Sequence, residues 1–360
     1  MIVSEFIPKP YKSFLESGSV AYSSPSNIAL VKYWGKKDYQ IPANPSISFT
    51  LNNCKTLTTL KFSKKTTKGF SFDVFLDGIV QNEFKPKIKQ FFERIELYLP
   101  FLTWYHFKIE TSNTFPHSSG IASSASGMSA LALCLVQLEQ YLNPERTKTS
   151  FNKKASFLAR LGSGSACRSV QGNLIVWGLH SNIIGSSDLV GIKYPYEIHS
   201  SFNNFCDTIL LVDKGEKEVS STVGHDLMYG HPFAQQRFAQ AHTNIDTLIE
   251  VFKTGDLSAF ISIVEREALT LHAMMMSSDP YFILMKPNTL EIINKIWKFR
   301  KKTGLHICFT LDAGANVHVL FPKNESSEIR QFIKSSLVMH CQNEQFIEDT
   351  LGDGAKSIKI

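Results

Sequence analysis

The alternation of apolar and polar residues divides the chain into a strand-rich first half and a helix-rich second half. A period of two favours strands, because alternate side chains face opposite sides of a sheet, whereas apolar residues three and four apart favour helices. The pattern predicts strands over residues 20–33, 47–51, 56–62, 70–76, 105–110, 173–177, 192–199, 208–212, 306–311, 317–321 and 355–360. It predicts helices over residues 85–97, 129–141, 151–161, 234–252, 257–276, 288–301 and from residue 325 onward. This order predicts an α+β protein with two lobes.

Turn residues mark where several of these elements end. Asp77-Gly78 is a turn signal between two apolar segments. Residues 162–169 and 312–316 are rich in small residues and predict loops, and residues 182–190 predict an exposed connection.

Composition and charge are typical of a globular protein that binds anionic molecules. The 360 residues are 43% hydrophobic and 19% charged, which suits a packed core and not a disordered chain. The formal net charge of +6 suits anionic small molecules or nucleic acid. The densest basic clusters, at residues 64–65, 85–89 and 298–302, are interpreted as solvated surfaces, so no nucleic-acid role is assigned to them.

Cysteine spacing and the amino terminus favour a cytoplasmic protein. The 6 cysteines have no metal-type spacing and several lie in apolar runs, which is typical of reduced, buried thiols. The first residues lack the basic and apolar regions of a signal peptide. The apolar run around residues 130–138 is too short to span a bilayer, so we expect no membrane partner.

The most informative segment is the loop Pro-His-Ser-Ser-Gly-Ile-Ala-Ser-Ser-Ala-Ser-Gly-Met at residues 116–128. It places small residues and hydroxyls before an apolar helix, with Ser123 or Ser124 as the predicted N-cap. Unpaired N–H groups at the positive end of a helix dipole suit a phosphate. The loop is not a Walker loop, because no Gly-Lys-Ser/Thr follows. An ordinary capped helix is the alternative for this segment alone.

Two basic clusters carry further candidate chemistry. Lys32 and Lys36 leave a predicted strand together with Tyr33 and Trp34, and these donors suit a phosphorylated ligand. A pair of surface lysines is the alternative. Arg168 follows small residues in Gly-Ser-Gly-Ser-Ala-Cys-Arg-Ser, and its planar fork fits a carboxylate. A capping loop with a structural arginine is the alternative there.

One isolated carboxylate completes the set. Asp312 lies where an apolar strand stops and a turn of small residues begins. A carboxylate there can orient or deprotonate a hydroxyl, although a turn aspartate bonded to its own backbone is the alternative. His272 and His318 are interpreted as structural histidines. Together the clusters predict a pocket for a polyphosphate, a carboxylate and a hydroxyl.

These segments together closely resemble the diphosphomevalonate decarboxylases of the GHMP kinase superfamily. Residues 27–38 resemble the family pattern N-I-A-x-x-K-Y-W-G-K-[KR]-D, and residues 116–127 resemble its P-x-x-x-G-[LI]-A-S-S-A-x-G phosphate loop. Residues 159–169 resemble A-R-x-G-S-G-S-A-C-R-S, and residues 310–316 resemble T-x-D-A-G-x-N. Weaker matches at residues 219–224 and 271–273 keep the family order, and the resemblance extends from about Ser24 to Gly354.

The resemblance implies a fold and a reaction. The expected GHMP kinase fold has an N-terminal lobe like ribosomal protein S5 over residues 1–195, with the ATP phosphate loop, and a ferredoxin-like C-terminal lobe over residues 196–360. ATP, with Mg²⁺, would phosphorylate the 3-hydroxyl of mevalonate 5-diphosphate. Loss of phosphate and carbon dioxide would then give isopentenyl diphosphate. The resemblance also implies a homodimer whose partners are these small molecules and not nucleic acid.

The resemblance assigns roles to individual residues. The implied catalytic residues are Asp312, which would orient or deprotonate the hydroxyl, Arg168, which would hold the substrate carboxylate, and Ser124. The implied substrate-binding residues are Asn27, Lys32, Tyr33, Lys36, Ser163, Gly164, Ser165 and Arg168. The implied ATP-binding residues are Pro116, Gly120, Ala122, Ser123 and Ser124. No metal ligand is assigned.

Several positions depart from the family pattern. Pro45 stands where the family usually has Ser, Ala315 where it has Pro, and His-Ser-Ser at residues 117–119 replaces a Thr-Ala-Ala-like triplet. The N-terminal arm is longer than usual, and an insertion lies near residues 145–154. The nearest alternative functions are phosphomevalonate decarboxylase and mevalonate 3-kinase. A non-catalytic RNA-binding protein is a distant alternative, since such a surface has no use for the Asp312 carboxylate.

Overall fold

The computed structural model describes residues 2–11, 13–116, 121–143, 148–215 and 221–359. The strands are β1 (Ser17–Val31), β2 (Lys36–Lys37), β3 (Ile41–Pro42), β4 (Ser46–Lys64), β5 (Ser71–Leu76), β6 (Ile79–Val80), β7 (Tyr105–Asn113), β8 (Leu174–Trp177), β9 (Ile192–Lys193), β10 (Phe205–Leu210), β11 (Cys308–Thr310), β12 (Val317–Pro322), β13 (Phe346–Thr350) and β14 (Lys356–Ile358). The α-helices are α1 (Lys85–Ile95), α2 (Ser123–Leu142), α3 (Lys148–Gly162), α4 (Ser221–Asp226), α5 (Ala234–Thr254), α6 (Leu257–Met276), α7 (Pro287–Thr303) and α8 (Ser326–Phe332). In this part of the chain, no helix has both the length and the apolar character needed to cross a bilayer.

Two large sheets and a two-stranded sheet, β2-β3, organise the described residues. The larger sheet has the strand order β14-β1-β4-β7-β5-β6, with β8 beside β4 and β9 beside β8, and α2 packs on β1 and β4. The smaller sheet has the order β11-β12-β10-β13, with α6 and α7 against β11. The predicted α+β class is therefore confirmed. The division at residues 195 and 196 stays a prediction, and β14 crosses it by pairing with β1.

The end of β1 lies at the junction between the first sheet and the later helices. Leu30 and Val31 share a buried apolar cluster with Ile245 of α5 and Val264 of α6. The chain after β1 therefore continues between these helices and the sheet. The basic segment that begins at Lys32 starts in this buried junction.

The predicted strands 47–51 and 56–62 are wrong as separate elements, because both belong to β4. The pairing of β4 with β1 is interrupted between Thr50 and Lys55, which would leave backbone N–H groups without a ladder partner. The carboxylate of Asp349 accepts three of these N–H groups at 2.8 Å, from Asn52, Asn53 and Cys54. This acceptor allows the strand to continue through the irregular region.

The outcomes for one predicted turn and for strands β9 and β13 follow from the local sequence. The Asp77-Gly78 turn is confirmed, since both residues have positive φ (51° and 80°) and join β5 to β6. The strand predicted over residues 192–199 is shorter, because β9 ends before Pro195, which has no N–H to donate. Strand β13 was not predicted, since it is short and only weakly patterned.

Candidate active site

A cavity of about 870 Å³ is lined by the segments for which the sequence predicts catalytic or ligand-binding roles. The predicted residues in its lining are Lys32, Tyr33, Lys36, Ala122, Ser123, Ser124, Ser163, Gly164, Ser165, Arg168 and Asp312. They come from the end of β1, the start of α2, the segment after α3 and the turn after β11. Segments far apart in sequence therefore converge on one site.

Two predicted site residues that the structure describes do not line this cavity. Asn27 is buried behind Arg168, and Pro116 is described but lies outside the lining. Gly120 lies outside the described residues, as do residues 117–119 of the phosphate loop and residues 145–147 of the predicted insertion.

Lys32 and Asp312 form an ion pair at the base of the cavity. The Nζ atom of Lys32 donates to Oδ1 of Asp312 at 3.0 Å, and their side chains are 2% and 28% exposed. The alternative of a surface lysine is therefore wrong for Lys32. Burial lowers the pKa of the Lys32 ammonium, and the Asp312 charge opposes that shift. The pair presents a carboxylate to the cavity with its cation behind it.

His272 of α6 supports the turn that carries Asp312. Burial lowers the pKa of its imidazole to about 4, so the ring is neutral at physiological pH. Its Nε2 lies 3.2 Å from the Asp312 carbonyl oxygen. Because a carbonyl only accepts, Nε2 carries the proton and donates. The interpretation of His272 as a structural residue fits this contact, which the helix pattern alone did not indicate.

Arg168 lies in a 3₁₀-helix over residues 164–169, where the sequence predicted a loop. Its guanidinium is buried, with Nε donating to Oδ1 of Asn27 at 3.2 Å and Nη1 to Oγ of Ser46 at 2.5 Å. Asn27 is held in turn by its donation to Ser169 at 2.8 Å. Among the described residues, Nη2 of Arg168 has no hydrogen-bond partner. An arginine stays charged even where burial lowers its pKa, so it offers a directed positive group to the cavity.

Tyr33 and Lys36 contact helix α4, to which the sequence analysis assigned no role in the site. The imidazole of His225, in α4, makes tilted ring contacts with Tyr33 and Trp34, with ring centroids 4.2 and 4.7 Å away. Its Nδ1 accepts the Gly35 N–H at 3.0 Å. The next residue, Asp226, lies 3.4 Å from Nζ of Lys36.

His225 is a neutral donor beside the two cations of this region. Burial, together with the charges of Lys36 and Arg168, lowers its pKa to about 3. Since Nδ1 accepts from the backbone, the ring proton is on Nε2. His225 also lines the cavity. The sequence feature that could have pointed to His225 is its position directly after the weak family match at residues 219–224. A single histidine there indicates no role by itself.

Gly164 allows the backbone to approach the ring of Tyr33. A Cβ atom at this position would lie 2.9 Å from the Tyr33 hydroxyl oxygen and 2.8 Å from a carbon of Trp177, distances that a side chain cannot occupy. The flanking residues Ser163 and Ser165 also line the cavity. This close approach therefore places the backbone of the Ser163–Ser165 segment against the Tyr33 side chain.

The predicted N-cap of α2 is wrong. The helix begins at Ser123, so the cap is Ala122, which has a left-handed backbone (φ 47°) and no side-chain acceptor. Ser123 and Ser124 stand in the first turn, and the first N–H groups are not capped by a side chain of the cap residue. Such a helix start favours an anion.

Lys87 of α1 adds a cation to this region. Its Nζ donates to Oγ of Ser124. The interpretation of residues 85–89 as a solvated surface fits the exposed side chain of Lys87, but it missed that this lysine also lines the cavity. Sequence alone could not pair α1 with the start of α2, because the two segments are separated by β7.

The donors in the cavity fit a magnesium ion that arrives with a nucleotide. Within the described ranges, no group of three or more His, Cys, Asp or Glu residues could hold a metal, and Asp312 is the one carboxylate among the lining residues. Mg²⁺ keeps several waters and commonly binds substrate phosphates with few protein ligands. The hydroxyls of Ser123 and Ser124 are suitable neutral oxygen donors beside the expected phosphates.

Two family models match the chain. One is described as the diphosphomevalonate decarboxylase-like N-terminal domain and matches residues 24–188. The other is described as the mevalonate 5-diphosphate decarboxylase C-terminal domain and matches residues 208–358. The diphosphomevalonate decarboxylase of Ganoderma lucidum is 30% identical over 331 residues, which cover 86% of this chain and 80% of the relative. That of Gibberella zeae is 29% identical over 324 residues, covering 85% and 82%.

Solved structures give the same result. The mevalonate diphosphate decarboxylase from Enterococcus faecalis has a TM-score of 0.80 and 29% identity, over 96% of this chain and 100% of that chain. A structure described as MDDEF in complex with MVAPP, AMPPCP and magnesium has a TM-score of 0.81 and 30% identity over the same shares. These similarities confirm the fold that the sequence resemblance implied.

Proposed function

Because the chain belongs to the diphosphomevalonate decarboxylase family, we infer that it converts mevalonate 5-diphosphate to isopentenyl diphosphate in an ATP-dependent decarboxylation. The enzyme serves the mevalonate pathway of isoprenoid biosynthesis. The observation that carries the assignment is the convergence of Asp312, Arg168 and the start of α2 on one cavity. A carboxylate for the hydroxyl, a guanidinium for the substrate carboxylate and a helix start for the nucleotide are what this reaction requires.

Asp312 acts in the first chemical step. The ammonium of Lys32 pairs with the Asp312 carboxylate, and this carboxylate orients the 3-hydroxyl and accepts its proton. The hydroxyl oxygen then bonds to the γ-phosphorus of ATP as the bond to ADP breaks. A poor leaving group is thereby converted into phosphate.

Arg168 acts in the second step. It keeps the substrate carboxylate ionised and aligned while phosphate leaves C3 with the electron pair of the C–O bond. The electrons of the C1–C2 bond then form the C2–C3 double bond, and carbon dioxide departs. The buried setting of the guanidinium excludes water from the developing positive charge at C3.

The remaining cavity residues bind phosphates. Tyr33, Lys36, Ser163 and Ser165 bind the diphosphate of the substrate, with His225 beside them. Ser123, Ser124 and Lys87 bind the phosphates of ATP at the start of α2. When bound with ATP, Mg²⁺ neutralises charge that develops on the transferred phosphoryl group, and Ser123 and Ser124 are the residues that would hold it.

We also propose that the enzyme is a cytoplasmic homodimer without nucleic-acid or membrane partners. All six cysteines are free and buried, which fits a reducing compartment. The homodimer rests on the family resemblance alone, and sedimentation of the purified protein tests it.

The test of the function is the reaction of the full chain with ATP and Mg²⁺ on mevalonate, its 5-phosphate and its 5-diphosphate. We expect equal amounts of ADP and carbon dioxide and the highest kcat/KM on the 5-diphosphate. ADP without carbon dioxide would make the protein a 3-kinase. A preference for the 5-phosphate would make it a phosphomevalonate decarboxylase.

A further inference from the structure

Arg237 of α5 and Glu267 of α6 form an ion pair whose side chains have no exposed surface. The contact is bidentate, with Nη1 at 2.9 Å from Oε1 and Nη2 at 2.5 Å from Oε2. The desolvation cost of a buried pair can exceed its Coulombic gain, and apolar replacements of both partners are often neutral or stabilising. Stability alone is therefore a weak reason for this pair.

The pair holds both backbone groups of Lys32. Oε2 of Glu267 accepts the Lys32 N–H at 2.9 Å, and Nη2 of Arg237 donates to the Lys32 carbonyl oxygen at 3.1 Å. Lys32 lies immediately after β1, so these contacts take the place of strand pairing. Asn44 donates to the same carbonyl oxygen at 2.9 Å. Two helices of the second half of the chain thereby fix the backbone of a residue from the first half.

This arrangement acts directly on the ion pair in the cavity. The Lys32 side chain reaches 3.0 Å from Asp312, so a shift of the Lys32 backbone moves the cation away from the carboxylate. A misplacement of about 1 Å can cost on the order of 100-fold in rate. We propose that Arg237 and Glu267 are positioning residues that clamp the Lys32 backbone and so align Asp312 for phosphorylation of the 3-hydroxyl. This inference rests on the proposed function.

Because Glu267 affects the pKa of Lys32, loss of the clamp should change the pH dependence of the reaction. The charged or titratable groups near Lys32 are Asp312, Glu267, Asp207, Arg168, Arg237 and His272. The negative charge of Glu267 raises the pKa of Lys32 against the effect of burial. Loss of that charge lowers the pH at which Lys32 releases its proton.

Glu267→Gln tests the clamp, with Glu139→Gln as its matched control. Glu139 is also fully buried and pairs with a buried lysine, Lys154, at 2.6 Å, but it does not line the cavity. We expect Glu267→Gln to lower kcat for ADP formation about 100-fold, with little change in either KM, and to move the alkaline limb of kcat to lower pH. We expect Glu139→Gln to keep the wild-type kcat and pH profile, even where it lowers the melting temperature.

A double variant covers the case in which Glu267→Gln does not fold. Arg237→Met with Glu267→Leu leaves neither charge unpaired, so the protein should fold while kcat still falls. A folded variant with wild-type kcat and pH profile, or an equal loss of kcat in Glu139→Gln, would overturn the clamp. Failure of the proposed function would give a different result, because the wild-type enzyme would then form ADP without carbon dioxide. In that case the rate of ADP formation in the variants would still test the clamp.

Discussion

The Arg168 guanidinium keeps one amino group without a partner among the described residues while the rest of it is held by Asn27 and Ser46. A buried cation arranged in this way is oriented before substrate arrives. The same logic applies to Lys32, whose ammonium is held against Asp312 in the interior. At both positions the protein fixes a charge in advance, so little reorganisation is needed during the reaction.

Substitution of Arg168 should therefore damage decarboxylation. We expect Arg168→Ala to lose more activity than Arg168→Gln, because the amide still offers a donor to the substrate carboxylate. Truncation of one partner of a buried charge pair costs roughly 2–5 kcal/mol, or about 30- to 5,000-fold in kcat/KM. Carbon dioxide release measures the effect. Arg160→Gln is the control, since this buried arginine donates to backbone carbonyls of Leu189 and Tyr39 and lies outside the lining. Wild-type turnover in Arg168→Ala would remove it from the site.

Lys36 and Lys87 should separate the two substrates. Lys36 lies beside Tyr33 and His225, whereas Lys87 contacts Ser124 at the start of α2. We expect Lys36→Ala to raise KM for the 5-diphosphate and Lys87→Ala to raise KM for ATP, each on the order of tenfold from the loss of one charged hydrogen bond. Initial rates with one substrate varied at a time measure both constants. Equal effects on the two substrates would mean that a lysine has been assigned to the wrong ligand.

Local sequence predicted which segments meet at one cavity, but it predicted the surroundings of individual residues poorly. Small loops, basic residues at a strand end and a carboxylate before a turn indicated phosphate, carboxylate and hydroxyl binding, and the structure brings these groups into one cavity. Burial of Lys32 could not be predicted, because α5 and α6 lie more than two hundred residues later in the chain. Lys87 and His225 were missed for the same reason, since their roles depend on neighbours from other segments.

At the scale of elements, β4 shows how a distant residue sets local structure. Asn52 and Asn53 break the apolar alternation, so two strands were predicted where one exists. The acceptor that carries β4 through this point, Asp349, belongs to β13 at the other end of the chain. The cap of α2 was wrong for a different reason, because Ala122 adopts a left-handed backbone that composition does not reveal.

Removal of the Asp349 carboxylate should destabilise the protein without touching the cavity. Each fully buried N–H left without an acceptor costs about 1–3 kcal/mol. One of the three N–H groups is buried and two are partly buried, so we expect Asp349→Ala to lower the free energy of unfolding by roughly 2–4 kcal/mol. Equilibrium denaturation measures it. Glu348→Ala is the control, because this neighbour makes only partly exposed ion pairs, which contribute little. Equal losses in both variants would contradict the role of Asp349.

At the scale of the whole molecule, the active site depends on the two halves of the chain meeting. Lys32 and Arg168 come from the first half, whereas Asp312 and the clamp residues Arg237 and Glu267 come from the second. The closing strand β14 returns to the first sheet and ties the end of the chain to β1. Periodicity predicted the α+β class, but the order of strands in each sheet rests on long-range pairings that no local pattern encodes. The family resemblance implied the fold as a whole, and the order of the strands comes from the structure.

The catalytic role of Asp312 is tested most directly by a single-turnover measurement on Asp312→Asn with saturating ATP and mevalonate 5-diphosphate. The substitution keeps size and removes charge and basicity, so substrate should still bind. We expect ADP and carbon dioxide formation to fall together by roughly 10²–10⁴-fold, because phosphorylation precedes decarboxylation. Asp246→Asn, the same change on the surface outside the cavity, should keep the wild-type rate. An Asp312→Asn enzyme that retains more than about a tenth of the wild-type rate, outside the range for loss of a general base, would contradict the account.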